Sequence, residues 1–444
     1  MLNLYNTRTQ RSEPFLPAPE TTSRNRGLAA LRPSAATGEA AAQGERPITI
    51  YVCGITPYDT THLGHAFTYI VNDTLIRYLE YNKYPVRYVQ NVTDIDDDIL
   101  RKAAEVGESW QTLVNRWTTH FVEDLCTLNA RPPDYFPRAT SVIPQIIEQV
   151  QALIEAGVAY VAEGSVYYAV DRWPKFGELS RIPRAEMLPI ANERGNQPDD
   201  PNKRDPLDFV LWQAQQPGEP AWESPWGKGR PGWHIECSTM ATALLGETID
   251  LHSGGSDLLF PHHECEIAQV EPATHHAPFA RFWLHVAMVR HEGEKMSKSL
   301  GNLVMVRDLL QETTPDALRI YLAQHHYRKP WAYDPQQLQA AAETANHFMA
   351  AVTATGGTGR WLDGDATTYA FAEAMDDDLD TPTAIALLHD LANRITSAAA
   401  SQWNVEEAQH KLRTMASVFG LRLDAEQPQA RVIDGWNKHL LEFA

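Results

Sequence analysis

The first strong hydrophobic pattern in the chain is the apolar and β-branched run at residues 48–52, which leads into Cys53. A short run of this kind predicts a buried β-strand. After His65, apolar residues recur at the three-to-four-residue spacing of one helical face as far as Leu79. Residues 86–89 then predict a second strand. A strand, a helix and a strand in this order form a βαβ unit, so the pattern predicts a parallel sheet.

The middle of the chain carries different signals. Residues 143–156 predict an amphipathic helix that ends at Gly157, and a β-hairpin is expected at residues 158–161 and 166–170. Residues 184–231 are rich in Pro, Asp, Gly and Arg and predict long loops.

The N-terminal 45 residues and the part of the chain after residue 232 give further signals. Residues 1–17 contain enough apolar side chains to pack, whereas residues 20–45 show no apolar periodicity and predict a disordered linker. The β/α pattern resumes at residue 232 and continues to about residue 324. From residue 335 onward the pattern is helical, with almost no strand signal.

Composition narrows the class of protein. The chain has 444 residues and a formal net charge of −19, which argues against broad nonspecific binding to nucleic acid but leaves room for a local basic patch. No apolar stretch reaches the roughly 18 residues of a membrane span, and the N-terminus lacks the pattern of a secretory signal. Four irregularly spaced cysteines favour a reducing cytosol over a disulfide framework. We therefore expect a cytoplasmic protein.

Two histidines mark the turn between the first strand and the first helix. His62 and His65 flank Gly64, which allows the backbone to approach a ligand closely. A helix N-terminus favours an anion, and the carboxyl ends of parallel strands are where ligands bind in such sheets. The motif predicts phosphate handling, with an ordinary structural turn as the alternative.

A lysine motif lies far along the chain. Lys295 and Lys298, separated by Met and Ser, suit a mobile loop that closes on a triphosphate and its leaving pyrophosphate. A solvated basic loop is the alternative interpretation, and the presence of the histidine motif makes it the weaker one.

Cysteine, histidine and glutamate side chains predict a metal site. Cys53, at a strand end, and Cys237 could join His262 and Glu266, whose i,i+4 spacing puts them on one helical face. Two thiolates, an imidazole and a carboxylate suit tetrahedral Zn²⁺. Cys265 and His263 remain competing ligands, whereas Cys126, in an apparently helical stretch, is expected in the core. Such a zinc beside a nucleotide site suggests an enzyme that selects a thiol and activates it with ATP.

A glycine-rich turn precedes the predicted metal helix. Gly254 and Gly255 would admit backbone close to a base, and Asp257 could accept hydrogen bonds from ribose hydroxyls. A plain glycine turn is the alternative.

Taken together, these motifs resemble the cysteinyl-tRNA synthetase family of class I aminoacyl-tRNA synthetases. The matching segments lie within about residues 48–325, and residues 370–382 resemble the helical domain that follows in that family. The matching segments are residues 51–54, 62–65, 90–97, 229–238, 254–266 and 295–302.

The resemblance implies an α/β fold with a Rossmann-like catalytic core, a connective insertion at about 120–230 and a C-terminal helical bundle. The domains expected from it are residues 1–19 as a packing segment, 20–47 as a linker, 48–330 as the catalytic domain and 331–444 as the helical domain.

The resemblance also assigns roles to individual residues. One Zn²⁺ per chain would be held by Cys53, Cys237, His262 and Glu266 and would bind the substrate thiolate directly. Thr68 and Trp233 would line the amino-acid pocket. Stabilisation of the adenylation transition state would fall to His62, His65, Lys295 and Lys298. ATP with Mg²⁺ is the expected co-substrate, and we expect a monomer.

Two acceptors for the activated cysteine fit this family. The wording of residues 54–59 and 193–201, and a chain that stops soon after residue 421, resemble the mycothiol ligase branch, which uses the amine of glucosaminyl-inositol. Glu266 and residues 204–209 resemble the branch that charges cysteine tRNA, which we favour. A non-catalytic paralogue that binds cysteine or RNA is a third hypothesis, although such paralogues usually lose a phosphate-handling residue.

Overall fold

The structure is a computed structural model that describes residues 1–15, 46–58, 61–296, 301–423 and 430–441. Its strands are β1 (Asn3–Asn6), β2 (Arg11–Pro14), β3 (Ile48–Ile55), β4 (Val86–Val92), β5 (Ala159–Ala162), β6 (Ser165–Tyr168), β7 (Phe209–Ala214), β8 (Gly229–Pro231), β9 (Ile249–Gly255), β10 (Ala280–Val286), β11 (Val289–His291), β12 (Glu294–Lys295) and β13 (Trp331–Ala332). Its helices are α1 (Leu63–Tyr81), α2 (Asp97–Val106), α3 (Trp110–Thr127), α4 (Ile143–Glu155), α5 (Arg184–Asn192), α6 (Trp233–Leu245), α7 (Glu264–Thr274), α8 (Val306–Glu312), α9 (Pro315–Ala323), α10 (Pro335–Thr353), α11 (Asp365–Asp376), α12 (Thr381–Ala400), α13 (Glu406–Val418) and α14 (Ala430–Leu441).

A four-stranded parallel sheet in the order β10-β9-β3-β4 forms the centre of the fold. Its strands are buried on both faces, as parallel sheets covered by helices require. The predicted βαβ unit is confirmed by β3, α1 and β4. Strand β3 runs further than predicted, through Cys53 to Ile55, because β4 continues to pair with it across an irregularity after Val52.

The inserted segment builds a second, antiparallel sheet in the order β5-β6-β7-β8. The predicted amphipathic helix and hairpin are confirmed as α4 and the β5–β6 pair, in which Ala162 faces Ser165. The prediction of loops throughout residues 184–231 is wrong, because α5, β7 and β8 lie there. Strand β7 pairs with β6, which lies more than forty residues earlier in the chain, and no local sequence pattern predicts that pairing.

The N-terminal residues form a hairpin, β1 with β2, that packs against the edge of the parallel sheet. Leu2, Leu4 and Phe15 are buried in the same apolar core as α1 and the helical region. The backbone N–H of Thr7 donates to the carbonyl of Trp283 in β10 at 3.0 Å. The predicted linker lies outside the described residues except for positions 46 and 47.

Helices α10 to α14 follow the catalytic region and share its core. Arg319 of α9 is fully buried and donates to Asp73 of α1 and to the Phe419 carbonyl at the end of α13. Burial alone would raise the pKa of Asp73, but Arg77 and Arg319 beside it lower that pKa. Gly420 has a φ of +65°, and an added Cβ there would lie 2.5 Å from the Arg319 guanidinium.

Two apolar cores therefore cover the two faces of the parallel sheet. One joins the hairpin, α1 and the C-terminal helices, and the other joins the sheet to α4, α6, α7 and the inserted strands. This arrangement confirms the α/β prediction of a parallel sheet followed by helices, and the exact domain boundaries stay predictions. Among the helices in the described ranges, none combines the length and hydropathy needed to span a bilayer.

Candidate active site

The two predicted phosphate-handling histidines lie at the start of α1. His62 is the N-cap residue, and its Nδ1 accepts hydrogen bonds from the backbone N–H groups of Gly64 at 3.1 Å and His65 at 3.3 Å. The two imidazole rings stack with centroids 3.7 Å apart. Because Nδ1 is the acceptor, a neutral His62 carries its proton on Nε2. His62 thus orders the helix start at which an anion would bind.

The lysine motif is connected to this helix start through the residues that follow it. The Leu63 N–H donates to the Val304 carbonyl at 2.8 Å, and the Val306 N–H donates to the Thr61 carbonyl at 3.1 Å. Lys295 ends β12, whereas Lys298 lies outside the described residues. The backbone that follows the lysine motif therefore lies beside the histidine motif, as phosphate binding by both motifs would require.

Close backbone packing fixes the residue after Cys53, which still belongs to β3. The Gly54 N–H donates to Asn91 Oδ1 at 2.7 Å, and an added Cβ at Gly54 would lie 1.6 Å from the Asn91 carbonyl oxygen. No rotamer change relieves a clash with backbone, so only glycine fits this position.

Alanine at Gly54 should therefore lower the free energy of unfolding by about 3 kcal/mol or more. The substitution should also displace the neighbouring Cys53, one of the predicted metal ligands, and so lower the metal content. Thermal unfolding and metal content measure the two effects. Gly364→Ala is the control, because the nearest atom to its Cβ would be the flexible Cδ of Lys411 at 3.0 Å, and Ala408 Cα and Lys411 Cβ would lie at ordinary contact distances of 3.7 and 3.8 Å. Equal stability of the two variants would contradict the proposed close contact.

The four predicted metal ligands meet at the carboxyl end of β3. Cys53 Sγ, Cys237 Sγ and one donor atom each of His262 and Glu266 lie within 4.8 Å of one another, and all four residues are buried. Cys237 comes from the second turn of α6. His262 and Glu266 come from the turn at Leu259–His263 and from α7.

Burial strongly opposes charge in this cluster. It raises the pKa of Cys53, with a further contribution from Cys237, and it raises the pKa of Glu266. Burial, together with His234 and His252, lowers the pKa of His262. A divalent cation among these atoms would reverse the preference for the uncharged thiol and carboxyl, because it supplies the missing positive charge.

The residues present fit zinc. Zinc bond lengths put neighbouring ligand atoms roughly 3.3–3.8 Å apart in a tetrahedron, so ligands within 4.8 Å need only small shifts. Glu266 Oε2 is buried and has no hydrogen-bond partner among the described residues. His262 Nδ1 lies 2.9 Å from His234 Nδ1, a hydrogen bond of the kind that orients metal-ligating histidines.

A second group of possible ligands overlaps the first. Cys53 and Glu266 also lie within 4.8 Å of donor atoms of His252 and His263. His252 Nε2 is 3.1 Å from Glu266 Oε1, and His263 Nε2 is 3.4 Å from Cys53 Sγ. Cys265, which the sequence left as a competitor, belongs to neither group among the described residues, whereas the competitor His263 belongs to the second.

The glycine-rich end of β9 is shaped by side chains that approach it. An added Cβ at Gly254 would lie 3.0 Å from the His263 ring, and one at Gly255 would lie 2.6 Å from Asp257 Oδ1. The same Gly255 Cβ would lie 4.0 Å from Thr68 Oγ1. The predicted nucleotide turn and the predicted pocket residue Thr68 are thus neighbours.

A cleft of about 1090 Å³ opens between the parallel sheet and the inserted antiparallel sheet. Trp233 and Asp257 line it from the catalytic side, and Asp200 and Lys203 line it from the insertion. The Trp233 ring stacks on His262, with centroids 4.6 Å apart. A small substrate in this cleft would therefore reach the metal ligands past Trp233.

Sequence reasoning missed three histidines that surround the ligands. His234 contacts His262, His252 contacts Glu266, and His285 contacts His263. His252 lies in the middle of β9, which pairs with β3, and His285 lies near the end of β10, which pairs with β9. The one available signal was the place of His285 near the carboxyl end of a strand, where ligand-binding side chains gather in parallel sheets.

Comparisons with known proteins agree with this geometry. Residues 40–343 match the family model for the catalytic domain of tRNA synthetases class I (C), and residues 370–424 match the DALR domain. The chain is 43% identical to a cysteine–tRNA ligase of Thermosynechococcus vestitus, over 98% of this chain and 88% of that protein. It is 40% identical to a cysteine–tRNA ligase of Thermococcus onnurineus, over 95% of this chain and 86% of that protein.

Solved structures show the same fold at lower identity. The methionyl-tRNA synthetase of Mycobacterium tuberculosis, in complex with methionyl-adenylate, matches with a TM-score of 0.58 and 17% identity over 84% of this chain and 89% of that chain. The leucyl enzyme of Agrobacterium radiobacter K84, in a ternary complex titled LeuRS-tRNA-LeuAMS, matches with a TM-score of 0.57 and 12% identity over 91% of this chain and 86% of that chain.

Proposed function

The chain belongs to the cysteine–tRNA ligase family of class I aminoacyl-tRNA synthetases, and from this premise we propose how its residues carry out the reaction. It is an ATP-dependent ligase that charges tRNA with cysteine. In the first step the cysteine carboxylate attacks the α-phosphate of ATP and releases pyrophosphate. In the second, a hydroxyl at the tRNA 3′ end takes the cysteinyl group and AMP leaves.

Zinc recognition of the substrate thiol is the part of the proposal that the cluster at Cys53 supports best. Cys53, Cys237, His262 and Glu266 would hold the ion, whose Lewis acidity favours a bound thiolate. A serine hydroxyl is a far poorer zinc ligand than a thiolate. A site built around a specific bond to the cysteine thiol therefore rejects serine strongly, because serine cannot make that bond. Trp233 would close the pocket beside His262, since its ring already stacks there.

Phosphate handling falls to the start of α1 and to the lysine loop. His65 and the Nε2–H of His62 would donate to phosphate oxygens as charge develops during adenylation. Lys295 and Lys298 would neutralise the β- and γ-phosphates and the leaving pyrophosphate, with Mg²⁺ bound to ATP. Gly64, Gly254, Gly255 and Asp257 would receive the nucleotide, and Thr68 would line the amino-acid pocket beside Gly255.

The acceptor can be tested directly with purified protein, ATP and radiolabelled cysteine. We expect labelled cysteinyl-tRNA with cysteine tRNA and no labelled amide with glucosaminyl-inositol. Amide formation on the sugar without tRNA charging would contradict the proposal. Cysteine-dependent exchange of pyrophosphate into ATP is measured in parallel, and its absence would point to the non-catalytic alternative.

Two further properties follow from the family resemblance. We place the protein in the cytoplasm, where ATP and tRNA are available, and propose that it acts as a monomer. Light scattering at micromolar concentration tests the second statement: a mass near 49.8 kDa is expected, and a mass of twice that value would contradict it.

A further inference from the structure

Residues 193–201, whose wording resembles the mycothiol ligase branch, belong to the inserted segment and bring one arginine to the turn that carries His262. This turn, the metal turn, comprises Leu259–His263. Arg194 follows closely after α5 and donates from Nη1 to the carbonyl of Phe260 in the metal turn. The inserted segment therefore reaches the start of the metal turn through a charged side chain.

The backbone at Phe260 explains why a donor is needed there. Phe260 has a φ of −143° and a ψ of 134°, so one extended residue interrupts the helical backbone of the metal turn. It is only 2% exposed, and a buried carbonyl beside a break in a helix needs a hydrogen-bond donor from elsewhere. A guanidinium supplies a charge-assisted hydrogen bond, which is stronger than a bond between neutral groups. Arg194 thus stabilises the conformation in which the metal turn begins.

The inserted segment also holds the residue that follows the metal turn. Glu264 is buried, and its Oε2 accepts from the Ser180 N–H at 2.8 Å. Its Oε1 accepts from the Leu179 N–H at 3.5 Å. Phe260 and Glu264 are therefore both held by the inserted segment, and between them lie only residues 261–263. One of those three residues is the proposed ligand His262.

A shift of the metal turn would move that ligand. His262 lies only two residues after Phe260, and its donor atom is within 4.8 Å of those of the other proposed ligands. The Trp233 ring, which lines the same cleft as Arg194, stacks on the His262 ring. A change of the backbone at Phe260 would therefore alter the distance from the imidazole to the ion and the wall of the thiol pocket together.

We propose that Arg194 is a positioning residue: it fixes the start of the metal turn and so holds His262 at the ion that binds the cysteine thiol. The inference rests on the zinc site of the proposed function. It adds that the inserted segment, which contributes none of the four ligands, sets the affinity of the site for metal and for cysteine. Hydrogen-bonding partners outside the ligand set commonly have such effects.

The test uses the full-length protein and measures zinc affinity by competition with a chromogenic chelator. Arg194→Met removes the donor and keeps an unbranched side chain. We expect its zinc Kd to rise roughly 10-fold, at the low end of the range for residues that only support a ligand. In cysteine-dependent pyrophosphate exchange, the KM for cysteine should rise by a similar factor. The kcat and the KM for ATP should stay within about twofold, because only thiol binding is weakened.

Cobalt substitution gives a readout that does not depend on catalysis. The visible d–d absorption of Co²⁺ responds to the geometry of its ligands, so a displaced His262 should change the spectrum of Arg194→Met at full cobalt occupancy. An unchanged spectrum together with an unchanged zinc Kd would contradict the proposed role.

Two further variants separate this effect from general damage to the inserted segment. Arg184 begins α5 and bonds to Asp171 at 2.9 Å and to Asp205 at 2.8 Å, both within the inserted segment. Arg184→Met should therefore keep the wild-type zinc Kd, cysteine KM and cobalt spectrum. Arg194→Lys keeps a donor for the single bond to the Phe260 carbonyl and should restore the zinc Kd to within about threefold of the wild type. Should Arg194→Met not fold, Arg194→Gln, whose side chain is two atoms shorter, carries the same prediction.

The outcomes distinguish this inference from the proposed function. Wild-type zinc Kd and cysteine KM in Arg194→Met, or an equal loss in Arg184→Met, would overturn the role of Arg194 and leave the zinc site standing. A wild-type protein that binds no zinc would overturn the metal site itself, and one without cysteine-dependent exchange would overturn the proposed function.

Discussion

Replacing Cys237 with alanine should remove most of the zinc and lower kcat/KM for cysteine more than about 100-fold. Loss of a residue that only hydrogen-bonds to a metal ligand already lowers metal affinity or activity about 10–100-fold. Loss of a direct ligand should lower them more. The effect should appear mainly as a higher KM, because the thiolate-binding position is lost before chemistry begins. Zinc content by mass spectrometry and steady-state charging of tRNA measure the two quantities.

The chain provides two matched controls for that experiment. Cys126 is half-buried beside one apolar core, and Cys265 is buried but belongs to neither ligand group in the described part of the chain. Alanine at either position should keep the full zinc content. Zinc loss on Cys265→Ala, with normal zinc in Cys237→Ala, would show that the ligand set is assigned to the wrong thiol.

The second large effect should come from the histidines at the start of α1. Asparagine at His65 or at His62 should lower the rate of cysteine-dependent pyrophosphate exchange about 10²–10³-fold, as expected when one donor to a developing charge is lost. The KM for cysteine should change little, because in our proposal the thiol binds at the metal cluster and not at the start of α1.

His62 has a second role that the structure separates from the first. As N-cap it accepts from Gly64 and His65, and asparagine can do the same. Alanine cannot, so His62→Ala should lose about 1 kcal/mol of stability that His62→Asn retains, while both lose activity. Thermal unfolding beside the exchange assay tests this, and full exchange activity in the asparagine variant would mean that His62 only caps the helix.

Much of this arrangement could be predicted because its signals are local. The βαβ pattern at residues 48–89 predicted the parallel sheet. The i,i+4 spacing of His262 and Glu266 predicted that these two candidate ligands share one face. The chemistry of the residues also suggested the distant partner Cys237, and the resemblance implied the same four ligands. The structure brings these residues together as expected.

What could not be predicted depends on pairing between distant strands. His252 and His285 are single histidines without a local motif, and they reach the cluster because β9 lies beside β3 and β10 lies beside β9. Thr7 belongs to no sequence motif, and its backbone hydrogen bond to Trp283 in β10 becomes apparent only in the folded chain. Strand β7 was mistaken for loop for the same reason: its partner β6 is far away in sequence.

The buried contact of Arg319 with Asp73 and Phe419 has a consequence for how such enzymes can be recombined. The Phe419 carbonyl at the end of α13 accepts a hydrogen bond from the Arg319 guanidinium, which also donates to Asp73 in α1, the helix that begins after His62. The Gly420 backbone packs against the same guanidinium, so a residue with a Cβ does not fit there. A chimera with a crossover between α9 and α10 would keep Arg319 with Asp73 but separate it from Phe419 and Gly420. Gene fusion and domain exchange should therefore succeed only when α1, α9 and the end of α13 are inherited from one parent.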